Sequence, residues 1–262
     1  MNHPHQKKNN YKIPIIFLLS LIFLFLIFAV VLNFRGAMFR KAGEAAFLKY
    51  RMALVKWFPF SEDNSLKEWE EKIFKGKVVY RIEKSQDLSY VRATSNRTAS
   101  ALYYRIKLDT KSKSPVISWK WMAEKFPVKK MKESLETQDE DDFAARVYVI
   151  FPALFFTNSK VLEYVWANEL PVGMIGRSPY SKNIKIIVAR SGPGNEKQWM
   201  PEERDIIADY IKALGHRPEY NIGAVAFMTN AEHTGTSADA MYDEIKLGYK
   251  EDGKINLRKS EV

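Results

Sequence analysis

The residues best placed to do chemistry form one block. Asp139, Glu140, Asp141 and Asp142 run directly into Phe143–Ala144–Ala145–Arg146–Val147–Tyr148–Val149–Ile150–Phe151. Four adjacent carboxylates repel one another, so a cation, an arginine or water must accompany them. Two chemistries follow: hard-oxygen ligation of Ca2+, or a carboxylate pair acting on a glycosidic bond. Strand alternation turns Asp141 and Asp142 to opposite sides. It leaves Asp139–Asp141 as a solvated loop and Asp142 as the chief candidate. Arg146 stands among apolar neighbours, where a buried guanidinium needs a carboxylate or a ligand. It shares a face with Asp142, so that pair is expected, with Arg190, at the end of another strand, as a third member.

The remaining candidates are dispersed. Trp166 and Trp199 have polar neighbourhoods and are read as ligand residues, because an aromatic face suits the apolar face of a pyranose. Trp119 and Trp121 recur at period two and are expected in the core. Glu232 and His233, beside Thr234, offer a general base or a plain polar loop. Asp243 is a secondary cation candidate with Asp142. No His-x-x-x-His pair exists for zinc hydrolysis. Ser191–Gly192–Pro193–Gly194 fits neither a nucleophile elbow nor a phosphate loop.

Composition narrows the classes. The 262 residues contain no cysteine, which removes disulfides, thiol catalysis, cysteine metal sites and a lipidated cysteine anchor. The net charge of +10 invites a nucleic-acid reading. Much of it, however, is Lys7, Lys8, Lys12, Arg35, Arg40 and Lys41, with no acid before Glu44. No basic stripe with interleaved aromatics follows, so no nucleic-acid partner is expected.

These residues must be positioned by elements that the pattern outlines. Residues 1–12 read as a basic, disordered tail. Ile13 to Leu32 is apolar apart from Pro14 and Ser20. About twenty residues at about 1.5 Å each span a bilayer core, so residues 13–34 are read as an uncleaved transmembrane anchor with the lipid bilayer as partner. Flanking positive charge is balanced and gives no orientation. Residues 36–59 read as an amphipathic juxtamembrane helix, from Phe39, Ala42, Ala46, Tyr50 and Trp57 at helical spacing and Pro59 as terminator. A β-sandwich is expected over 60–250, and a polar tail over 251–262. Nine strands are predicted: Val78–Ile82, Tyr90–Thr94, Ala101–Leu108, Pro115–Met122, Phe143–Phe151, Leu162–Trp166, Ile184–Arg190, Ile222–Thr229 and Met241–Tyr249. Almost no helix separates them, which argues for an all-β antiparallel sandwich of jelly-roll type. One accessory helix is predicted over Pro201–Gly215, with Ile206, Ile207, Tyr210, Ile211 and Leu214 as its apolar stripe.

With these segments placed, the chain resembles a bacterial family, domain of unknown function 3047 (DUF3047). The resemblance rests on Ile117–Ser118–Trp119–Lys120–Trp121, on Asp141–Asp142–Phe143 through Val149, and on Tyr164–Val165–Trp166–Ala167. It continues through Arg190–Ser191–Gly192, Glu203–Arg204–Asp205 with Asp209–Tyr210, and Met228–Thr229–Asn230 with Thr234–Gly235. Family members are rich in Asp and Asn before Thr-Gly. Here the segment reads Asn230–Ala231–Glu232–His233, a departure from that pattern at the acids from which a cation site would be drawn. The element order is also similar to galactose-binding-type jelly rolls, whose last strand reads like Tyr242–Asp243–Glu244–Ile245; that is analogy of fold. The resemblance implies a cell-envelope protein with its domain outside the cytoplasmic membrane, and it names no catalytic residue. The leading expectation is a non-catalytic sandwich that binds a glycan through Asp142, Arg146, Trp166, Arg190 and Trp199. One alternative is a hydrolase of envelope polysaccharide using Asp142 or Glu232/His233. The other is a structural protein docking an envelope partner through residues 36–59.

Overall fold

The computed structural model describes residues 51–85, 88–193 and 198–251. The expected tail, span and first part of the juxtamembrane helix lie outside these residues, as does nearly all of the polar tail. Among the described residues, no helix is long and apolar enough to cross a membrane.

The chain folds as β1 (Met52–Phe58), β2 (Glu70–Lys75), β3 (Val79–Ser85), β4 (Leu88–Asn96), β5 (Ala99–Leu108), β6 (Pro115–Lys125) and β7 (Ala145–Phe151). Then come β8 (Lys160–Ala167), β9 (Ile175–Ser178), β10 (Ser181–Ser191), β11 (Met200–Asp205), α1 (Ile206–Leu214), β12 (Ile222–Met228) and β13 (Ser237–Lys250). Two sheets result. One has six strands in the order β11-β6-β13-β4-β3, with β1 also on β13; the other has seven, in the order β2-β5-β12-β7-β8-β10-β9. All pairings are antiparallel except β8 with β10. This is the expected all-β sandwich, and all nine predicted strands lie in it.

Two expectations are corrected. Residues 52–58 are a strand, not the end of a helix: Met52 lies opposite Lys250 and Phe58 opposite Ile245. Of the residues whose spacing suggested a helix only Trp57 is described, and pairing with β13 leaves it exposed while sending Phe58 into the core. Residues 200–205 are likewise a strand, Met200 opposite Trp121 and Asp205 opposite Val116. Pro201 is tolerated because β11 is an edge. The helix begins later, where Asp205 accepts from the Ala208 N–H at 3.0 Å as N-cap. It ends at Gly215, whose φ of 83° supplies the left-handed cap.

β13 is the hub. Its first half pairs with β4 and its second half with β1, while β6 runs along the other side. A bulge between Asp243 and Lys246 makes the change, with Glu244 at φ 53°. Between the sheets lie Trp119, Trp121, Tyr164, Phe227 and Tyr242, all buried. Trp119 meets Trp121 edge-on at 5.2 Å and Tyr164 at 5.4 Å; such pairs add about 0.5–1.5 kcal/mol each beyond burial.

The seven-stranded sheet is also covered on its outer face. A second cluster of Leu135, Phe143, Val165, Ala167, Leu170, Ile186 and Val188 is buried there. The segment between β6 and β7 supplies Leu135 and Phe143 to it. Polar ties hold this cover down: Glu133 accepts from the N–H groups of Asn168, Glu169 and Leu170 at 3.1, 2.8 and 3.2 Å. Lys129 donates to the carbonyls of Glu140 and Asp142.

Candidate functional site

Beneath that cover sits Arg146, 3% exposed. β7 points it outward from the sandwich, with Val165 opposite on β8, while the next outward residue, Tyr148, lies opposite Glu163. Arg146 and Glu163 are thus diagonal neighbours on one face. The guanidinium is fully engaged. Nη1 donates to Glu163, Nη2 to the Asp141 carbonyl, and Nε to Asn230 Oδ1 at 2.7 Å. Its flat side lies 4.7 Å from the centre of the Phe143 ring.

Asp142 is not the partner of Arg146. Its Oδ1 accepts from Asn230 Nδ2 at 2.7 Å, and Oδ2 accepts from the Thr234 N–H and hydroxyl at 2.7 and 2.8 Å. The strand begins only at Ala145, after a tight turn at Gln138–Glu140, so alternation does not extend back to Asp142. Of the expected solvated loop only Asp139 is exposed: Glu140, Asp141 and Asp142 are buried, and Asp141 Oδ1 lies 3.4 Å from Arg146 Nη2. Glu163 and Asn230 escaped the sequence reading. A lone acid inside the apolar run Val161–Ala167 was the available signal for Glu163, matching a lone arginine inside β7.

The electrostatics follow from burial. Desolvation opposes the charge of Arg146, but Asp141 and its neighbours outweigh it and drive the guanidinium pKa up. Desolvation pushes Glu163 up to about 7 against the pull of Arg146. Asp141 is raised by burial. Burial would also raise Asp142, yet the two Thr234 hydrogen bonds prevail and hold it below the usual carboxylate range.

The network reaches the surface at Glu232 and His233. Glu232 Oε2 accepts from Asn230 Nδ2 at 2.9 Å, and its Oε1 lies 3.1 Å from His233 Nε2. The half-exposed Tyr180 hydroxyl meets the same imidazole. The structure therefore brings together Asp142, Arg146, Glu232 and His233. Trp166, Arg190, Trp199 and Asp243 lie elsewhere. Trp166 is 3% exposed, packs on Trp121 at 5.7 Å and gives its indole N–H to the Gly192 carbonyl at 2.8 Å. It is core, not a ligand platform: its strand is central, so its inward face meets the other sheet. Arg190 is tied to Glu202 and to the Pro201 carbonyl.

The sequence matches the family model "Protein of unknown function (DUF3047)" over residues 67–246. The chain belongs to this family. The matched span of this DUF3047 chain includes the whole network around Arg146 and excludes β1. No match is found among the curated proteins. Similar solved structures include the family 11 carbohydrate-binding module of the cellulosomal cellulase Lic26A-Cel5E of Clostridium thermocellum. It is 12% identical, with a TM-score of 0.41, covering 79% of this chain and 98% of that one. The family 30 carbohydrate-binding module of cellulase Cel9D-Cel44B from the same organism is 10% identical, with a TM-score of 0.41, covering 76% and 100%. The Spr0440 glycoside hydrolase domain, Endo-D, from Streptococcus pneumoniae is 11% identical, with a TM-score of 0.33, covering 69% and 21%.

A second arrangement in the DUF3047 domain lies on the outer face of the six-stranded sheet. Trp199, just before β11, crosses this face to meet Tyr90 of β4 edge-on at 5.3 Å. Beside them Arg92 reaches Glu124 at 2.8 Å and Asp239 at 3.0 Å. Thr94 donates to Asp239 at 2.8 Å. Asp243, one residue on from the Tyr242–Val91 pair, lies across from Lys120. Its Oδ1 is buried without a hydrogen bond. Burial, followed by the Glu244 charge, pushes its carboxyl up to about 7.

Proposed function

We propose that this DUF3047 domain binds a glycan without chemistry of its own, on the outer face of the six-stranded sheet. The observation that carries the reading is the half-buried Trp199–Tyr90 pair beside the Arg92, Glu124 and Asp239 fork. Aromatic surface covers the C–H face of a sugar, and planar charged groups hydrogen-bond its hydroxyls. Hydrolysis through Asp142 is disfavoured, because that residue is 0% exposed and both its oxygens are bonded. The ligand set is therefore Trp199, Tyr90, Arg92 and Asp239 rather than Asp142, Arg146 and Trp166. The test is a glycan array probed with the full chain. Binding should fall at least tenfold in Trp199→Ala and Tyr90→Ala; an array with no signal, or signals indifferent to both changes, contradicts the reading.

Placement on the envelope belongs to the same proposal. Residues 13–34 would anchor the chain in the cytoplasmic membrane with the domain outside, supported by the apolar length of that stretch. Full-length protein should stay with membranes through alkaline carbonate extraction, and release into the soluble fraction would refute the anchor.

A further inference from the structure

Among the described residues, the network beneath the cover of the seven-stranded sheet has too few cations for its carboxylates. Asp141, Asp142, Glu163 and Glu232 converge there around the single guanidinium of Arg146, whose donors are committed to Glu163, Asp141 and Asn230. Lys129 is spent on backbone carbonyls and Glu133. Asp142 and Glu232 are held by the same Asn230 amide nitrogen. Such a grouping must take up a proton or a cation.

Geometry favours a cation. Ligating atoms of Asp142, Glu232 and His233 all lie within 4.8 Å of one another. Asp142 accepts three hydrogen bonds, which leaves one of about four carboxylate lone-pair positions for an ion. The neighbouring Asp141 adds negative charge to the same network. Asp141, 5% exposed, has an Oδ1 that accepts no hydrogen bond, with Arg146 Nη2 standing off at 3.4 Å. Its charge is within electrostatic reach of His233. We propose that Asp142, Glu232 and His233 form a binding site for a divalent transition-metal ion, with Asp141 completing the negative wall behind it. One imidazole among carboxylates suits Zn2+ or Mn2+, whereas Ca2+ takes oxygen ligands. This site is on the opposite sheet from the aromatic pair and is independent of glycan binding.

The experiment uses the full chain stripped with chelator and titrated calorimetrically with ZnCl2, with MnCl2 and CaCl2 in parallel. One equivalent of Zn2+ should bind, with a matching rise in the unfolding midpoint by linkage. His233→Ala and Glu232→Gln should each weaken binding at least tenfold. His233 is part-exposed, so its variant is expected to keep the metal-free unfolding midpoint; His233→Gln serves as the second variant should Ala shift it. Absence of saturable binding overturns the site. So does binding that survives both substitutions, which would place the ion on His3, His5 or His216. A preference for Ca2+ over Zn2+ overturns the transition-metal assignment.

Discussion

Arg146 shows what a buried charge demands. Its carboxylate partners, Glu163 and Asp141, are buried with it, so removing the guanidinium strands negative charge away from water. Arg146→Met is expected to cost about 3–5 kcal/mol in denaturant unfolding, and Glu163→Gln in that background should recover part of it. A double variant whose loss equals the sum of the losses of Arg146→Met and Glu163→Gln alone would show that the two groups do not interact. Asp243 makes a pH-dependent contribution. Its folded pKa of about 7 lies above the ordinary Asp value of about 3.9. Between those values the native state holds a proton that the unfolded chain has released. Stability therefore falls as pH rises through that window and is level above it. Asp243→Asn should flatten this slope, gaining on the order of 2 kcal/mol more relative to wild type at pH 8 than at pH 4. A pH-independent difference would contradict the burial assigned to this carboxyl.

At the scale of elements, legibility followed position in the sheet. The four strands the sequence did not reveal, β1, β2, β9 and β11, are all pairing edges or stand outside the main strand path. β2 is exposed along its whole length and β11 is half-buried throughout. An edge strand has no strict inside and outside, so apolar alternation, the signal used to find strands, is weak there. β1 is held chiefly by its register on β13, and Gly248 permits the close approach. A Cβ at Gly248 would sit 2.3 Å from the Ala53 carbonyl oxygen. Gly248→Ala should dislodge β1, costing about 1–3 kcal/mol and exposing its amides to rapid hydrogen exchange. Retained protection across Met52–Phe58 would show that β1 is not docked through this contact.

At the scale of the molecule, the sandwich was readable because central strands carry their burial in period two, as Trp119 and Trp121 of β6 do. The site was less so. The register that opposes Tyr148 to Glu163, and the loop after β12 that brings Asn230 to Arg146 across 84 residues, are properties of the closed fold. Composition marked Arg146 as needing a partner but could not choose among the acids. Likewise, Trp166 and Trp199 both have polar sequence neighbours; only strand position buries the first and leaves the second on a face. The central claim is that this face binds sugar. Hydroxyl-radical footprinting of the full chain, with and without a saturating array-positive glycan, tests it most directly. Phe74, 62% exposed on β2 of the other sheet, is the internal control. The expected result is that Trp199 and Tyr90 lose labelling when glycan is bound while Phe74 does not. Labelling of Trp199 and Tyr90 that is the same with and without bound glycan would contradict the assignment of this face.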